Sequence, residues 1–307
     1  MSRRRKGEPV SGWVVVDKPA GIGSTSVVAI VKRLFNAQKA GHGGTLDPAA
    51  SGVLPVALGE ATKTISHIMD GAKAYRFSVR WGQTTATDDA EGEVIARSDI
   101  RPSDEDIRAV LPEFTGDILQ TPPAYSAVHV NGRRAYDLAR RNETVELTPR
   151  RIRIDSLTLV GRPEPDVSDF EVACGKGTYV RSLARDMAER LRCCGHVCAL
   201  RRIRCGKFSE ENAFSLEYLE SLGHISMESR VLLPVETVLD DILALALTET
   251  EATRLSNGGF LPVGPIADRT PGVCVCEGTT MQAKCGGRLT ALVRVQDGLI
   301  RPVRVIV

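Results

Sequence analysis

Residues 41 to 55 hold a single carboxylate, Asp47, in a backbone that is restricted on both sides. Pro48 disfavours the right-handed helical region for the residue before it. Gly43, Gly44 and Gly52 can adopt positive φ angles and let other backbone approach closely. An acid held in this way is typical of a site where a carboxylate attacks a substrate or removes a proton. The same Asp-Pro pair is also typical of a helix start, with the acid as N-cap.

The segment around Asp47 is one of five motifs that follow one another between residues 13 and 202. They read VVVDKPAGIGSTS (14–26), AGHGGTLDPAASGVLPVALGEATK (40–63), KAYRFSVRWGQTTATDDAEG (73–92), CGKGTYVRS (174–182) and GHVCALRR (195–202). In this order the motifs resemble the bacterial tRNA pseudouridine synthase B family. An ordered set is more specific than any single motif.

The resemblance implies an isomerase that converts uridine 55 in the T loop of tRNA to pseudouridine. This reaction breaks the N1–C1′ bond, rotates the freed base and rejoins it through C5, without a cofactor. Asp47 matches the family's essential carboxylate. Arg181 matches an arginine whose fork can hold a carboxylate by two parallel hydrogen bonds. Tyr75 matches a tyrosine whose ring can stack on uracil and whose phenol lies where the C5 proton leaves.

The resemblance also implies residues that bind a uridine extruded from the folded tRNA. His42 matches the residue whose imidazole inserts into the T loop as the base leaves. Lys18 and Lys63 match residues that support the pocket floor and the RNA backbone, and either could equally be a surface lysine. Tyr179 is expected as a wall of the site, and Leu200 as part of its apolar lining.

Without the resemblance, the same residues have simpler interpretations. Arg181 is one of four arginines on a predicted helix, where solvent exposure is the ordinary outcome, and Tyr75 in a strand would be expected to pack in the core. Two other functions also remain open. One is a tRNA-binding or tRNA-folding chaperone without chemistry. The other is a uridine glycosidase, which would need a second acid, and Asp88, Asp89 and Glu91 are candidates.

Hydrophobic periodicity predicts the elements that must position these residues. The clearest is a helix from about Tyr179 to Arg192, with one apolar face and its arginines off that face. Another helix is expected to begin at Ser24 or Thr25, either of which could cap it. Further predictions are strands at residues 13–16, 53–58, 74–81, 151–160 and 170–174, helices at 60–69 and 102–111, and a type I′ hairpin at 128–133.

The family resemblance implies an α+β fold, with a central mixed, mostly antiparallel sheet flanked by helices and a small PUA-like β domain at the C-terminus. The sequence changes in character near residue 245. A capping box at Thr248–Glu251 opens a short helix, and β-like runs at 261–264, 273–276, 280–283, 290–295 and 300–306 follow. We therefore predict a catalytic domain over residues 1–245 and a PUA-like RNA-binding domain over 246–307.

A thumb-like insertion is expected at about residues 115–153, again by resemblance. It carries seven basic residues against four acidic ones. Such a segment can close on the T stem and loop through phosphate contacts. The basic residues are Arg133, Arg134, Arg140, Arg141, Arg150, Arg151 and Arg153.

The formal net charge of +2 conceals an uneven distribution. Residues 174–207 carry nine Lys or Arg against two acids, and residues 208–251 carry ten acids against one Arg. This pattern is typical of one surface that faces a polyanion and another that faces solvent. Two solvated faces would give the same counts, so charge alone does not decide between them.

Composition favours a cytoplasmic enzyme. The basic N-terminus lacks the apolar segment of a secretory signal, and no apolar run is long enough for a membrane helix. The eight cysteines lack the C-x-x-C spacing of a zinc site, so free thiols in a reducing compartment are expected. We expect a monomer that binds tRNA and needs no cofactor, metal or membrane.

Overall fold

The computed structural model describes residues 7–126, 128–130, 132–141, 147–270 and 275–306. Its α-helices are α1 Ser24–Leu34, α2 Ile65–Asp70, α3 Asp104–Val110, α4 Ala135–Ala139, α5 Val180–Arg190, α6 Leu216–Ser221, α7 Glu249–Ser256 and α8 Val263–Ala267. Short 3₁₀ helices lie at Gly59–Thr64, Leu111–Phe114, Glu210–Asn212 and Val235–Val238. Within the described ranges, no helix is long and apolar enough to cross a bilayer.

The strands complete the element order. They are β1 Gly12–Lys18, β2 Ala40–His42, β3 Ser51–Leu58, β4 Lys73–Trp81, β5 Gln83–Thr85, β6 Val94–Arg97, β7 Gly116–Gln120, β8 His129–Val130, β9 Arg133–Arg134, β10 Arg150–Glu164, β11 Val167–Cys174, β12 Gly195–Cys205, β13 Phe208–Ser209, β14 Phe214–Ser215, β15 Ala244–Leu247, β16 Leu261–Pro262, β17 Thr280–Cys285, β18 Arg288–Gln296 and β19 Leu299–Val305.

A large mixed sheet forms the body of the protein. In the described part of the chain it has ten strands, in the order β14-β1-β3-β12-β4-β11-β10-β7, with β2 beside β3 and β13 beside β12. The β1–β14 and β3–β12 pairs are parallel, and the other pairs are antiparallel. The prediction of an α+β fold around a mixed, mostly antiparallel sheet is therefore confirmed.

Both faces of this sheet are covered, as β1 shows. Successive side chains of a strand point to opposite faces. Val14 and Val16 pack in a cluster with α1 and α6, whereas Trp13 and Val15 pack in a second cluster on the other side. The second cluster includes Leu292 of β18, so the large sheet and the C-terminal strands share buried contacts.

The C-terminal strands form a separate five-stranded sheet in the order β15-β17-β18-β19-β16. Helix α7 packs against it and begins with the predicted capping box between Thr248 and Glu251. The β-like runs predicted at 280–283, 290–295 and 300–306 are confirmed as strands. The run at 261–264 is wrong in its second half, because Val263 begins α8 and buries Ile266. Residues 273 and 274 of the run at 273–276 lie outside the described residues, and residues 275 and 276 are not in a strand, so the prediction is wrong for the described half.

Several predicted element ends differ in the structure. The N-cap of α1 is Gly23, without a side-chain bond, so the prediction of Ser24 or Thr25 as cap is wrong. The predicted helix at 60–69 is divided into a 3₁₀ turn and α2. β8 and β9 pair antiparallel as the hairpin required, although Asn131 of its predicted turn lies outside the described residues.

One glycine allows β3 to approach the strand beside it. Gly52 has φ +100°, and a Cβ atom there would lie 2.2 Å from the backbone carbonyl oxygen of Arg202. The two residues are register partners across the parallel β3–β12 pair. A side chain at position 52 would therefore push β3 and β12 apart, close to the loop that carries Asp47.

Backbone strain alone typically costs about 1–3 kcal/mol. We expect Gly52→Ala to lower the free energy of unfolding by more than this amount, because β3 and β12 must also move apart. Urea unfolding of both proteins measures the difference. The matched control is Gly21→Ala, where φ is +89° but no atom lies within 4 Å of the added Cβ. Equal losses in the two variants would contradict the prediction.

Candidate active site

Asp47 lies in the loop between β2 and β3, and no helix starts there. The Ala50 N–H donates to the Asp47 carbonyl at 3.1 Å, which closes a turn just before β3. The alternative that Asp47 caps a helix is therefore wrong. Its side chain is 43% exposed, so a substrate can reach the carboxylate.

Two buried side chains hold the loop from below. The Ser24 hydroxyl accepts from the Leu46 N–H at 2.9 Å and donates to the Leu46 carbonyl at 2.8 Å. The Lys18 ammonium, fully buried, donates to the Pro48 carbonyl at 3.2 Å and to two more carbonyls. Burial lowers the pKa of Lys18, and the nearby Asp47 carboxylate opposes that shift. The structure thus places Lys18 beneath the loop, and the alternative of a surface lysine is wrong.

Arg181 contacts Asp47 from α5. One guanidinium nitrogen, Nη2, lies 2.9 Å from Oδ2 of Asp47, and the other, Nη1, lies 3.3 Å from Oδ2 of Asp89. The same two nitrogens donate to the carbonyls of Tyr125 and Thr87, each at 3.0 Å. Every contact joins Arg181 to a different residue outside its own helix.

The position of Arg181 corrects two expectations. Its side chain is 8% exposed, so the interpretation as a solvated helix arginine is wrong. The apolar face of α5 packs on the sheet as predicted, but the side that carries Arg181 is covered by the segments at 85–89 and 121–126. The expected pair of parallel hydrogen bonds to one carboxylate is also wrong, because the guanidinium bridges two carboxylates.

Asp47 and Arg181 form one edge of a cavity of about 310 Å³. This volume is at the lower end for small-ligand sites. Tyr75, Tyr179 and Leu200 also line the cavity. The structure thus brings five of the eight candidate residues together around one space.

The two tyrosines are held in different ways. Tyr75 lies on β4, where burial raises the pKa of its phenol to about 12 against the opposing effect of Arg202. The phenol is therefore neutral near pH 7. Tyr179 precedes α5, and burial raises its pKa as well. The Gln120 side chain accepts from the Tyr179 N–H at 2.8 Å and donates to its carbonyl at 3.0 Å.

The structure does not bring His42 or Lys63 to the cavity wall. His42 ends β2, directly before the loop that carries Asp47, and is half-buried. Burial lowers the pKa of its imidazole. Lys63 forms an ion pair with Glu60 and donates to the Val305 carbonyl at 2.7 Å. Because Val305 belongs to β19, Lys63 joins the 3₁₀ helix Gly59–Thr64 to the second sheet.

Sequence reasoning missed three residues that shape the site. Gln120 fixes the backbone of Tyr179, and Asp89, considered only as a possible second acid, holds Arg181. Arg202, two residues after Leu200, lines the cavity with a buried guanidinium. The motif that contains Arg202 was visible in the sequence, but nothing there showed that this arginine points inward.

The thumb-like segment contacts the site through its first half. The Thr121 carbonyl accepts from Ser182 at 2.8 Å, and Ser126 lines the cavity. Further along, the Arg140 guanidinium lies 4.4 Å from the centre of the Tyr136 ring. Glu143 and Glu146 of the predicted segment lie outside the described residues.

The cysteine expectation needs one correction. Cys276 is disulfide-bonded, whereas six other described cysteines are free. Spacing along the chain could not show this, because disulfide formation depends on the distance between two Cα atoms in the folded protein. In the part of the chain that the structure describes, no three His, Cys, Asp or Glu side chains are grouped to hold a metal ion.

Two family models match adjacent parts of the chain. The model of the TruB family pseudouridylate synthase, N-terminal domain, matches residues 32–180, and that of the tRNA pseudouridylate synthase B C-terminal domain matches residues 181–240. The chain belongs to the TruB family of pseudouridylate synthases. Membership makes it an isomerase, as the motifs predicted.

Relatives named tRNA pseudouridine synthase B match over nearly the whole chain. The protein of Rhodospirillum rubrum is 53% identical over 306 residues, which cover 100% of this chain and 99% of the relative. The protein of Bradyrhizobium diazoefficiens is 53% identical over 308 residues, which cover 98% of this chain and 87% of the relative. The family resemblance expected from the motifs is therefore confirmed.

Solved structures agree on the fold. A Cbf5–Nop10–Gar1 complex contains a chain with 25% identity and a TM-score of 0.71, covering 96% of this chain and 85% of that one. The archaeal box H/ACA Nop10–Cbf5 complex gives a TM-score of 0.72 at 23% identity, covering 100% of this chain and 93% of that one. The second likeness shows the pseudouridine synthase fold alone.

The raised pKa of Tyr75 predicts a stability change at high pH. A phenol with a pKa of about 12 when folded and about 10 when unfolded stabilises the protein fully below pH 10. This contribution, on the order of 2 kcal/mol, is lost as pH rises from about 10 to 12. Urea unfolding across this range should show a shallower decline for Tyr75→Phe than for the wild type. Parallel declines would contradict the burial of the phenol.

Proposed function

We propose that this chain isomerises uridine 55 in the T loop of tRNA to pseudouridine, with Asp47 as the essential carboxylate. The observation that carries the proposal is the Asp47–Arg181 pair at the edge of a cavity with aromatic and apolar walls. The full-length match to relatives named tRNA pseudouridine synthase B supports tRNA as the substrate. The reaction needs no cofactor, because it changes neither oxidation state nor composition.

Asp47 acts at C1′ of the ribose. Its ionised carboxylate either attacks C1′ or removes a ribose proton, and the N1–C1′ bond breaks with its electron pair on uracil. The freed base rotates in the cavity, C5 bonds to C1′, and the C5 proton leaves. Arg181 keeps the carboxylate oriented through each step, because its other contacts fix the guanidinium in place.

The detached uracil carries negative charge, and the cavity floor is positive. Lys73 and Arg202 line the cavity, and Lys18 lies beneath the loop. Each of these cations donates to backbone carbonyls: Lys18 to Pro48, Lys73 to Gly71 and Arg202 to Val53. Fixed cations near a developing charge favour the transition state because they need no reorganisation.

Tyr75 has two roles in the proposal. Its ring stacks on the uracil, and its neutral phenol accepts the C5 proton after C5 has bonded to C1′ while its own O–H proton passes to N1, which is protonated in the product. Leu200 and Tyr179 complete the walls and exclude water, which would otherwise capture C1′. The neutral imidazole of His42, at the start of the Asp47 loop, is suited to stack in the T loop after the base has left.

The other acids near Asp47 do not favour a glycosidase. Asp89 contacts Arg181 and accepts from the Glu91 N–H at 3.1 Å. Asp88 pairs with Arg185 at 3.0 Å. Because both side chains are paired with arginines and only 12% exposed, against 43% for Asp47, neither is placed to activate a water molecule. A tRNA-folding chaperone without chemistry remains the alternative, and the Asp47 variant below tests it.

The second sheet carries a surface suited to RNA, in keeping with a PUA-like accessory domain over residues 246–307. Phe260 is 43% exposed. The guanidinium carbons of Arg254 and Arg301 lie 5.4 Å and 5.3 Å from its ring centre. Neither arginine forms an ion pair with a described residue. Two such guanidinium groups beside an exposed ring can bind phosphates and stack a base.

We expect Asp47→Asn to fold and to bind tRNA but to form pseudouridine at less than about a thousandth of the wild-type rate, because the amide keeps the shape and loses the charge. Nucleoside mapping of unmodified tRNA after incubation measures product and its position. The matched control is Asp240→Asn, a surface carboxylate 3.5 Å from Lys207. Product at uridine 55 with the Asp47→Asn variant would refute the essential role, and binding without product in the wild type would favour the chaperone.

Replacing Arg254 and Arg301 together by Gln should weaken binding of full-length tRNA. Each lost phosphate contact reduces the slope of log affinity against log salt by about one unit. Turnover of an isolated T-arm stem-loop should stay unchanged, because the cavity is untouched. Arg269→Gln is the control, since Arg269 already pairs with Glu251. An unchanged salt slope in the double variant would show that this surface does not bind RNA.

A further inference from the structure

Besides lining the cavity, the guanidinium of Arg202 donates hydrogen bonds to three backbone carbonyls. Its side chain is 1% exposed, and among the described residues no carboxylate pairs with it. A buried charge without an opposite charge is costly unless hydrogen bonds satisfy it. The hydrogen-bond acceptors of this guanidinium therefore indicate which parts of the structure Arg202 holds in place.

The guanidinium interacts with three different segments. Nε donates to the Val53 carbonyl at 2.8 Å, on β3. Nη2 donates to the Gly44 carbonyl at 3.0 Å and Nη1 reaches the Thr45 carbonyl at 3.4 Å, both in the loop that leads to Asp47. The guanidinium also acts on the Tyr75 phenol of β4, because its charge favours the ionised form and so opposes the rise that burial causes in the pKa of that phenol.

The backbone of β12 places Arg202 where these segments meet. This strand lies between β3 and β4, and Arg202 is the register partner of Gly52 on one side and of Tyr75 on the other. Because a guanidinium is planar, its nitrogens fix the directions of all three carbonyl acceptors at once. An ammonium at the same point could not hold the loop and β3 in the same way.

We propose that Arg202 is a positioning residue that holds the Asp47 loop and the Tyr75 phenol at a fixed separation across the cavity. Bond cleavage at C1′ and loss of the C5 proton then proceed with one alignment of the base. This inference rests on the proposed function, because it assigns a role within that reaction. Arg202 also opposes the effect of burial on the pKa of Tyr75, its register partner on β4.

The test compares Arg202→Lys with Arg201→Lys in otherwise intact protein. Both changes keep the charge and remove the planar fork. Arg201 is the neighbour on the same strand, outside the cavity, and binds both oxygens of Asp17 at 2.9 Å. The measurements are thermal unfolding, kcat and KM on a T-arm stem-loop, and the kinetic isotope effect of deuterium at C5 of the target uridine.

For Arg202→Lys we expect a folded protein with a similar KM, a kcat about 100-fold lower, and a larger C5 isotope effect than in the wild type. A misplaced phenol slows proton removal, so that step comes to limit the rate. Arg201→Lys should keep the wild-type kcat and isotope effect. These differences would not follow from a general loss of stability, which would lower activity in step with the folded fraction.

Wild-type kcat in folded Arg202→Lys would overturn the proposal, and so would a lower kcat with an unchanged isotope effect. If Arg202→Lys does not fold, Arg202→Met serves as the second variant, since it fills similar volume without a buried charge. Failure of both to fold would make Arg202 a folding residue and overturn the positioning role. An inactive wild type would instead refute the proposed function, so the two failures are distinguishable.

Discussion

The guanidinium of Arg181 is the contact on which the rest of the site depends. It joins α5 to the Asp47 loop, to the segment at 85–89 and to the thumb-like segment near Tyr125. Each of these pieces comes from a different part of the chain, and the guanidinium contacts all of them at once. Removing one partner from a buried ion pair typically costs about 3–5 kcal/mol, because the remaining charge is left unpaired. Arg181 therefore both orients the Asp47 carboxylate and stabilises the segments that surround it.

Around this contact, the cationic side chains donate hydrogen bonds to backbone carbonyls, whereas the carboxylates of Asp47 and Asp89 both contact Arg181. Lys18, Lys73 and Arg202 donate mainly to backbone oxygens, and none of them forms an ion pair with a described carboxylate. The Asp47 side chain is 43% exposed, and its partner Arg181 also contacts Asp89. The result is a positive cavity with one exposed carboxylate at its edge. This distribution suits the proposed reaction, in which an anionic base must form and stay bound.

The second sheet is packed firmly against the first. Leu292 and Ile306 of the C-terminal region are buried in the same cluster as Trp13. The connecting residues are also fixed, because the Gln282 side chain donates to the Leu239 carbonyl at 2.9 Å and to the Ile242 carbonyl at 2.8 Å. A surface on the second sheet is thus held at a defined position relative to the cavity. The proposed RNA contact at Phe260 depends on this arrangement.

The sequence by itself determined the family, the α+β fold and five residues of the cavity. Ordered motifs carry that information because each residue in them has a chemical or backbone reason to be there. Helix α5 was also predictable, because its apolar face repeats with helical spacing. The surroundings of its polar face were not, since Arg181 differs from other helix arginines only in the distant segments that cover it.

Tertiary structure alone decided which polar side chains became partners. Three sets of contacts join residues far apart in the chain. Arg181 contacts both Asp47 and Asp89, Arg202 donates to three carbonyls, and Lys63 contacts the second sheet. Local patterns report which face of an element is buried, because burial follows the period of the helix or strand. They do not report what lies across that face, because this depends on how the elements pack.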